Sequence, residues 1–114
     1  AASRSCFQVH NVDVSATAVA AARRACPAEV ARRGSWHAAD ALRLPEALRE
    51  VPPFHAVVDK GLVDSLLHGG PYVAAAYLQG AAEALRPGGL LVSLSDEAGA
   101  EARLTLLEAA LHGF

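Results

Sequence analysis

The chain of 114 residues contains no methionine, only two cysteines, and few aromatic or charged side chains. Aromatic residues make up 5% and charged residues 19% of it, whereas hydrophobic residues make up 53%. Such a composition excludes a largely disordered chain, and the length suits one domain with a real core. The missing methionine, absent also at position 1, predicts that the chain begins inside a longer protein or at a processed end.

The sequence also lacks an excess of positive charge and any long hydrophobic run. Its net charge is −2, so nothing attracts it electrostatically to nucleic acid or to an anionic membrane. The longest apolar run is far below the roughly 18–20 residues of a membrane-spanning helix. Cys6 and Cys26 share no metal-ligand spacing and do not define a disulfide, which makes a reducing compartment the default expectation. The five histidines show no paired metal spacing either, so no metal site is predicted.

Apolar runs that end at or near an acidic residue alternate with helical patterns along the chain. Strands are predicted to end near Val12, with Asp13 at the tip, and to cover residues 35–40, 54–59 and 90–95. Helices are predicted over residues 16–25, in part over 28–33 and 41–50, and over 64–68, 71–85 and 101–111. This alternation predicts an α/β fold with a Rossmann-like, doubly wound, mostly parallel sheet.

Three aspartates end consecutive predicted strands: Asp13, Asp40 and Asp59. The carboxyl ends of parallel strands share one edge of a sheet, and ligands of open α/β sheets bind there. An ionised carboxylate offers only acceptors, which suits the hydroxyls of a ribose, and an acid one strand further along can reach an adenine amino group. The three acids therefore predict a nucleotide-like ligand, and they fit a dinucleotide-dependent oxidoreductase as well as other enzymes.

A turn between a long helix and a strand narrows the choice among these classes of enzyme. The sequence Leu85-Arg86-Pro87-Gly88-Gly89-Leu90-Leu91-Val92 resembles the Pro-Gly-Gly turn of class I S-adenosylmethionine-dependent methyltransferases. Residues 11–15 (Asn-Val-Asp-Val-Ser) resemble the ribose-acid strand of that superfamily, and residues 39–41 (Ala-Asp-Ala) its adenine-side acid. The resemblance implies S-adenosyl-L-methionine as cofactor, with the following contact residues: Asp13, Val14, Asp40, Ala41 and Asp59.

A second motif resembles one branch of that superfamily. Asp59-Lys60-Gly61, followed by Asp64 and a Gly-Gly pair, is similar to the signature of methyltransferases that modify protein lysines. Residues 93–97, Arg103 and residues 107–108 look most like the mitochondrial branch that acts on citrate synthase. Elongation-factor lysine methyltransferases share the signature but resemble this later segment less. The resemblance implies citrate synthase as protein partner and the mitochondrial matrix as location, with the cytoplasm as the alternative.

The resemblance covers residues 7–114, which we expect to be the central and C-terminal part of a single methyltransferase domain. The Gly-rich loop and first strand of the family would precede residue 1, and its final strands would follow Phe114. We therefore expect the chain alone to bind cofactor poorly and not to turn over. Leu62 stands where relatives often carry threonine, which leaves a hydroxyl contact there in question.

Within the implied site, Asp59 and Lys60 are the predicted catalytic residues. Asp59 would position the reactants through its backbone carbonyl or its carboxylate, and Lys60 would orient an acidic substrate surface. Asp64 is predicted to be the N-cap of the helix that follows. Three alternatives remain open: a small-molecule methyltransferase of the same fold, a nucleotide-dependent oxidoreductase, and a non-catalytic truncated product that only binds a partner.

Overall fold

A computed structural model describes residues 8–95 and residue 108 of the chain. The chain divides into two compact units, residues 1–41 and residues 42–114, and each is described by itself. Among the described residues, no helix has the length and apolar character needed to cross a membrane.

The first unit is a β-α-α-β arrangement with two parallel strands. Its elements are β1 (Val9–Asp13), α1 (Ala16–Ala25), α2 (Ala28–Ala31) and β2 (Gly34–Ala38). The strands pair in parallel from Val9 opposite Gly34 to Asp13 opposite Ala38. Ser15 caps α1 because its hydroxyl oxygen accepts a hydrogen bond of 3.1 Å from the Ala18 amide. The structure confirms the strand predicted to end near Val12, the cap at Ser15 and the helix predicted over residues 16–25.

The second unit contains one more parallel strand pair and the longest helix. A 3₁₀ turn, Ala41–Arg43, leads into α3 (Leu44–Ala47), β3 (Phe54–Lys60), α4 (Leu62–Leu67), α5 (Pro71–Ala84) and β4 (Leu85–Leu94). β3 and β4 are joined by α5 and pair in parallel, from Ala56 opposite Leu90 to Lys60 opposite Leu94. Proline at the first position of α5 suits the start of a helix, where its missing N–H has no partner to lose.

The predicted Pro-Gly-Gly turn forms an irregularity inside β4. Phe54 pairs with Leu85 and Ala56 with Leu90, so four residues of β4, 86–89, stand opposite a single residue of β3. Gly88 has a φ of 80°, which side chains with a Cβ rarely adopt. At Gly89 a Cβ would lie 2.9 Å from the Arg86 carbonyl oxygen, so the backbone approaches itself too closely for any other residue.

The core of the second unit lies along one face of α5. Ala74, Tyr77, Leu78 and Ala81 are at most 1% exposed, as is Val63 of α4. Tyr72, near the start of α5, is 88% exposed and lies outside this buried face. The alanines of α5 are distributed around the whole helix, so the sequence does not show clearly which face is buried.

The two faces of the β3–β4 pair differ in burial. The face toward the helices carries Val57 opposite Leu91 and Asp59 opposite Ser93. The other face is exposed and mostly apolar, and its paired residues are Ala56 with Leu90, Val58 with Val92, and Lys60 with Leu94. Val58 and Leu90 are each 65% exposed.

The α/β class and the parallel pairing are confirmed within each strand pair. The strands form two sheets of two strands each, and a doubly wound sheet that contains all four stays a prediction. The helix predicted over residues 101–111 lies outside the described residues except for Glu108, which is helical.

Candidate functional site

The carboxyl ends of β1 and β2 bring two of the predicted cofactor residues to adjacent strand ends. Asp13 is the last residue of β1, and Asp40 follows β2 by two residues. The Ala39 amide donates to the Asp13 carbonyl oxygen at 3.0 Å, which continues the parallel ladder to the edge. Both carboxylates are exposed, so this edge offers acidic acceptors to a ligand in solution.

Local hydrogen bonding fixes the orientation of Asp13. One carboxylate oxygen, Oδ1, accepts a hydrogen bond of 2.8 Å from the Ser15 amide. Ser15 is also the N-cap of α1, so the acid and the helix start are held by the same residue. Val14 between them is 78% exposed, and it offers an apolar side chain beside the acid. Ala41, the fourth predicted contact, lies directly after Asp40 at the start of the 3₁₀ turn.

Asp59 occupies a different environment, because its carboxylate is buried. Its exposed fraction is only 8%, and it belongs to the second unit. Tyr77 Oη of α5 donates to Oδ2 at 2.7 Å, and Ser93 Oγ of β4 donates to Oδ1 at 2.9 Å. Burying a carboxylate costs free energy unless its oxygens are hydrogen-bonded, and here each oxygen has a hydroxyl donor. The Asp59 side chain therefore ties β3, β4 and α5 together.

Tyr77 is held in its protonated form at this position. Burial raises the pKa of the Tyr77 hydroxyl well above its usual value of 10.0, and its hydrogen bond to Asp59 and the charge of Asp59 raise it further. The phenol therefore stays a donor throughout the neutral range and cannot serve as a general base there.

Gly61 turns the chain sharply from β3 into α4. Its φ of 72° and ψ of 1° are left-handed, and it is the N-cap residue of α4. The Gly61 amide donates to the Leu94 carbonyl oxygen at 2.7 Å, which closes the strand pair at its carboxyl end. The turn leaves Lys60 exposed on the open face of the sheet, whereas its neighbour Asp59 points into the interior.

The predicted N-cap role of Asp64 is wrong. Helix α4 begins at Leu62, so Asp64 is its third residue, and no side chain caps this helix. Ser95 Oγ instead lies 2.8 Å and 2.7 Å from the two carboxylate oxygens of Asp64. Asp64 therefore joins α4 to the residue after β4. Asp59 makes a similar link between β3 and Ser93 of β4.

Tyr77, Ser93 and Ser95 are the residues of this site that the sequence did not identify. Ser93 lies opposite Asp59 in the strand register, and Ser95 directly follows the end of β4. Two serines at alternate positions of an otherwise apolar strand are the signal that indicates polar partners on the facing strand. Tyr77 carries no such signal, because an aromatic residue within an apolar helix usually indicates core packing.

One cleft of the first unit does not coincide with the strand-end acids. It measures about 640 Å³, and Val9, Asn11, Val30 and Trp36 are among its lining residues. Neither Asp13 nor Asp40 lines it. Glu29, Arg32 and Arg33 also line the cleft, so this unit presents polar groups both at the cleft and at the strand ends.

The structure thus defines an α/β protein in which β1 ends at an acidic residue and β2 and β3 each end within two residues of one. No protein-family model, no curated protein and no solved structure matches the chain.

The convergence of Asp13, Asp40 and Asp59 on one ligand stays a prediction, since the first two belong to one unit and the third to the other. Among the described residues, no cluster of three or more metal-binding side chains is present.

Proposed function

We propose that this chain is part of an S-adenosylmethionine-dependent protein-lysine N-methyltransferase that acts on citrate synthase in the mitochondrial matrix. Support comes mainly from the exposed Asp13 and Asp40, which follow adjacent parallel strands. The resemblance of residues 59–61 and 93–97 to that branch of methyltransferases sets the substrate class. A doubly wound sheet that unites both strand pairs is part of the same proposal.

The acceptor chemistry of the first unit fits the adenosine half of the cofactor. Asp13 would accept hydrogen bonds from the ribose hydroxyls, and Asp40 from the adenine amino group. The Ser15 amide fixes Asp13 beforehand, so less conformational freedom is lost when a ligand binds. Val14 and Ala41 supply apolar contacts beside the two acids. When bound, the cofactor supplies an electrophilic methyl group on a sulfonium ion.

Asp59 acts in this proposal as a positioning residue. Both of its oxygens already accept hydroxyl hydrogen bonds, so its side chain fixes the strand end rather than moving a proton. Its backbone carbonyl and those of its neighbours then present a rigid edge to the substrate lysine. Alignment is the main requirement of such a displacement, because the reacting nitrogen must approach the methyl carbon in line.

The substrate lysine must reach this edge without its proton. A free lysine has a pKa of about 10.4, and desolvation in an apolar channel lowers it. The exposed apolar residues of β3 and β4 would supply such surroundings once the protein substrate covers the open face of the pair. Lys60, exposed at the end of that face, would attract an acidic surface of the protein substrate.

Calorimetric titration with S-adenosylhomocysteine tests the cofactor part of the proposal. It is done with the 114-residue chain and with the natural polypeptide that contains it, each with Asp13→Ala and Asp40→Ala variants. We expect micromolar binding to the natural polypeptide that both substitutions abolish, and weak binding to the 114-residue chain. Binding of a nicotinamide cofactor instead, or no binding to either protein, would remove the methyltransferase proposal.

Methyl transfer to citrate synthase tests the substrate part. The natural polypeptide is incubated with radiolabelled cofactor and purified citrate synthase, with an elongation factor and a panel of small amines as competing substrates. Label on a lysine of citrate synthase is the expected result. Label only on the elongation factor or on a small amine would assign the chain to one of the alternative methyltransferase classes.

A further inference from the structure

The β1–β2 pair brings together two histidines that lie 27 residues apart in sequence. The register opposes His10 to Ser35 and Val12 to His37, so the histidines are diagonal neighbours on one face of the pair. His10 Nδ1 is 3.0 Å from His37 Nε2, and both side chains are half-buried. The two rings thus connect β1 and β2 through their side chains, and this contact is called the histidine link below.

The geometry of the histidine link is that of an N–H···N hydrogen bond. The ring centroids are 5.2 Å apart and the ring planes differ by 20°, whereas the facing nitrogens are only 3.0 Å apart, so the rings meet at their nitrogen edges. One nitrogen donates its proton and the other accepts through its lone pair. The bond therefore forms when both imidazoles are neutral. It also forms when only one ring is positively charged, because the neutral ring still offers an acceptor.

Protonation of both rings removes the acceptor. Every ring nitrogen of an imidazolium carries a hydrogen, so the two facing nitrogens would direct N–H groups at each other. The two positive charges also repel, and water screens them less at half-buried ring edges than in solution. The parallel ladder from Val9 to Asp13 fixes the backbone register of the strands. The rings can therefore separate only if a side chain rotates away or the strands move apart.

We infer that the histidine link is a pH-sensitive hydrogen bond, which holds β1 and β2 together at neutral pH and breaks when the second imidazole is protonated. The strands that it connects lead to Asp13, the last residue of β1, and to Asp40, two residues after β2. Acidic pH therefore loosens the strand pair that sets these two acids side by side. The inference does not depend on which ligand the acids bind.

The charges around the histidine link oppose the second proton. The Arg23 guanidinium of α1 donates a hydrogen bond to the backbone carbonyl of the residue before His37. Burial lowers the pKa of the His37 imidazole below its usual value of 6.5, and the charges of His10 and Arg23 lower it further. The other charged side chains of the two helices packed on these strands are Arg24 of α1 and Glu29 of α2.

The acidic side chains nearest in the fold lie on the opposite face of the strand pair. Side chains alternate between the faces of a strand, so Asp13 and Trp36 belong to the face that does not carry the histidines. Glu29 lines the cleft on that other face, together with Trp36 and the cations Arg32 and Arg33. The cation Arg23, by contrast, acts directly on the histidine link.

The direction of the pH effect follows from proton binding in the two states. In an opened or unfolded chain the histidines take up protons at about pH 6.5. In the closed pair the second proton binds only at lower pH, so the open state binds more protons as the pH falls below that value. The free energy of opening therefore decreases as the pH falls, and it becomes constant once the closed pair is doubly protonated.

Amide hydrogen exchange of the 114-residue chain at several pH values tests the inference. Protection factors, which are corrected for the intrinsic pH dependence of exchange, are compared between the β1–β2 and β3–β4 ladders. The window runs from about pH 7.5 to about pH 5, above the range in which model carboxylic acids titrate. We expect protection in β1–β2 to fall by about threefold or more across it, and protection in β3–β4 to stay constant.

Replacing one ring by an amide removes the titration and keeps a hydrogen-bonding partner. In His37→Gln the amide can donate to His10 or accept from it, so protection in β1–β2 should lose most of its pH dependence. His55→Gln is the matched control, because His55 is exposed and belongs to the second unit, and it should retain the full dependence. Protection in β1–β2 of His37→Gln that still falls with pH as in the unsubstituted chain would overturn the inference.

Imidazole NMR titration of the unsubstituted chain covers the case in which a variant fails to fold. His37 should titrate at a lower pH than the exposed His55 and His68, and its signals should reveal the coupling to His10 as two steps. The inference is wrong if His37 titrates together with the exposed histidines, or if protection in β1–β2 does not depend on pH. In either case the two rings connect the strands without sensing pH.

Discussion

Tyr77 of α5 donates a hydrogen bond of 2.7 Å to Asp59, the next-to-last residue of β3. Both residues are buried, at 1% and 8% exposure, and the bond connects the middle of the longest helix to the carboxyl end of a strand. Ser93 completes the set from the neighbouring strand. A polar link of this kind stabilises the strand end only while each partner is present.

Tyr77→Phe should destabilise the chain because it removes one of the two hydroxyl donors of Asp59. Leaving a buried acceptor short of a partner costs about 1–3 kcal/mol, and more for a charged group. Urea denaturation followed by circular dichroism measures the change in free energy of unfolding. Tyr72→Phe is the matched control, since Tyr72 lies on the same helix but is 88% exposed, and it should change stability by less than about 0.5 kcal/mol.

Alkaline pH should destabilise the chain through the same tyrosine. The pKa of Tyr77 is raised in the folded state, so above about pH 10 the unfolded state loses the phenol proton while the folded state keeps it. Because the folded state then binds more protons, the free energy of unfolding falls as pH rises. Urea midpoints between pH 8 and about 11 should show this slope. If the free energy of unfolding of the Tyr77→Phe variant fell equally steeply with pH, the effect could not be assigned to Tyr77.

Gly89→Ala should be more harmful than Gly69→Ala. A Cβ at position 89 would lie 2.9 Å from the Arg86 carbonyl oxygen and 3.2 Å from that of His55, so backbone must move. At position 69 the nearest atom is a methyl group of Val73 at 3.3 Å, and a side chain yields more easily than backbone. We expect a loss of about 1–3 kcal/mol for Gly89→Ala and a smaller one for Gly69→Ala, measured by thermal unfolding. Equal losses would show that β4 relaxes freely at this point.

Asp13→Asn should weaken binding of S-adenosylhomocysteine while leaving the fold intact. The amide oxygen can still accept from the Ser15 amide, whereas the charge and one acceptor are lost. Hydrogen bonds to a charged group contribute roughly 1.5–3 kcal/mol, so affinity should fall by about tenfold or more in calorimetric titration of the natural polypeptide. Glu29→Gln, an exposed acid of the same unit, should have no effect. Unchanged affinity in Asp13→Asn would remove Asp13 from the proposed cofactor site.

The sequence was sufficient to predict the elements whose ends carry strong local signals. Ser15 before an alanine-rich segment predicts a helix start, and α1 covers the expected residues, 16–25. The apolar run that ends at Asp59 predicts a buried strand end, and β3 ends one residue later. These signals are local, since a cap or a strand end depends on a few neighbouring residues.

The contacts between distant residues were not predictable in the same way. Asp64 has the residue type of a helix cap, but Gly61 is the N-cap residue of α4, and the acid accepts a hydrogen bond from Ser95, the residue after β4. His10 and His37 become neighbours only through the register of β1 and β2, because no spacing within one segment reveals a pair 27 residues apart. Whether one sheet unites the two strand pairs depends on long-range pairing, which local patterns do not specify.

Residues 86–89, which stand opposite a single residue of β3, separate two parts of β4 that have different pairing partners. Beyond them, residues 90–94 pair one by one with residues 56–60, which sets Ser93 opposite Asp59. Before them, Leu85 pairs with Phe54 directly at the end of α5. A change in length between Arg86 and Gly89 can therefore be absorbed by the bulge without a shift of the downstream register. A chain lengthened or shortened by one residue there should keep the buried acid and its serine aligned.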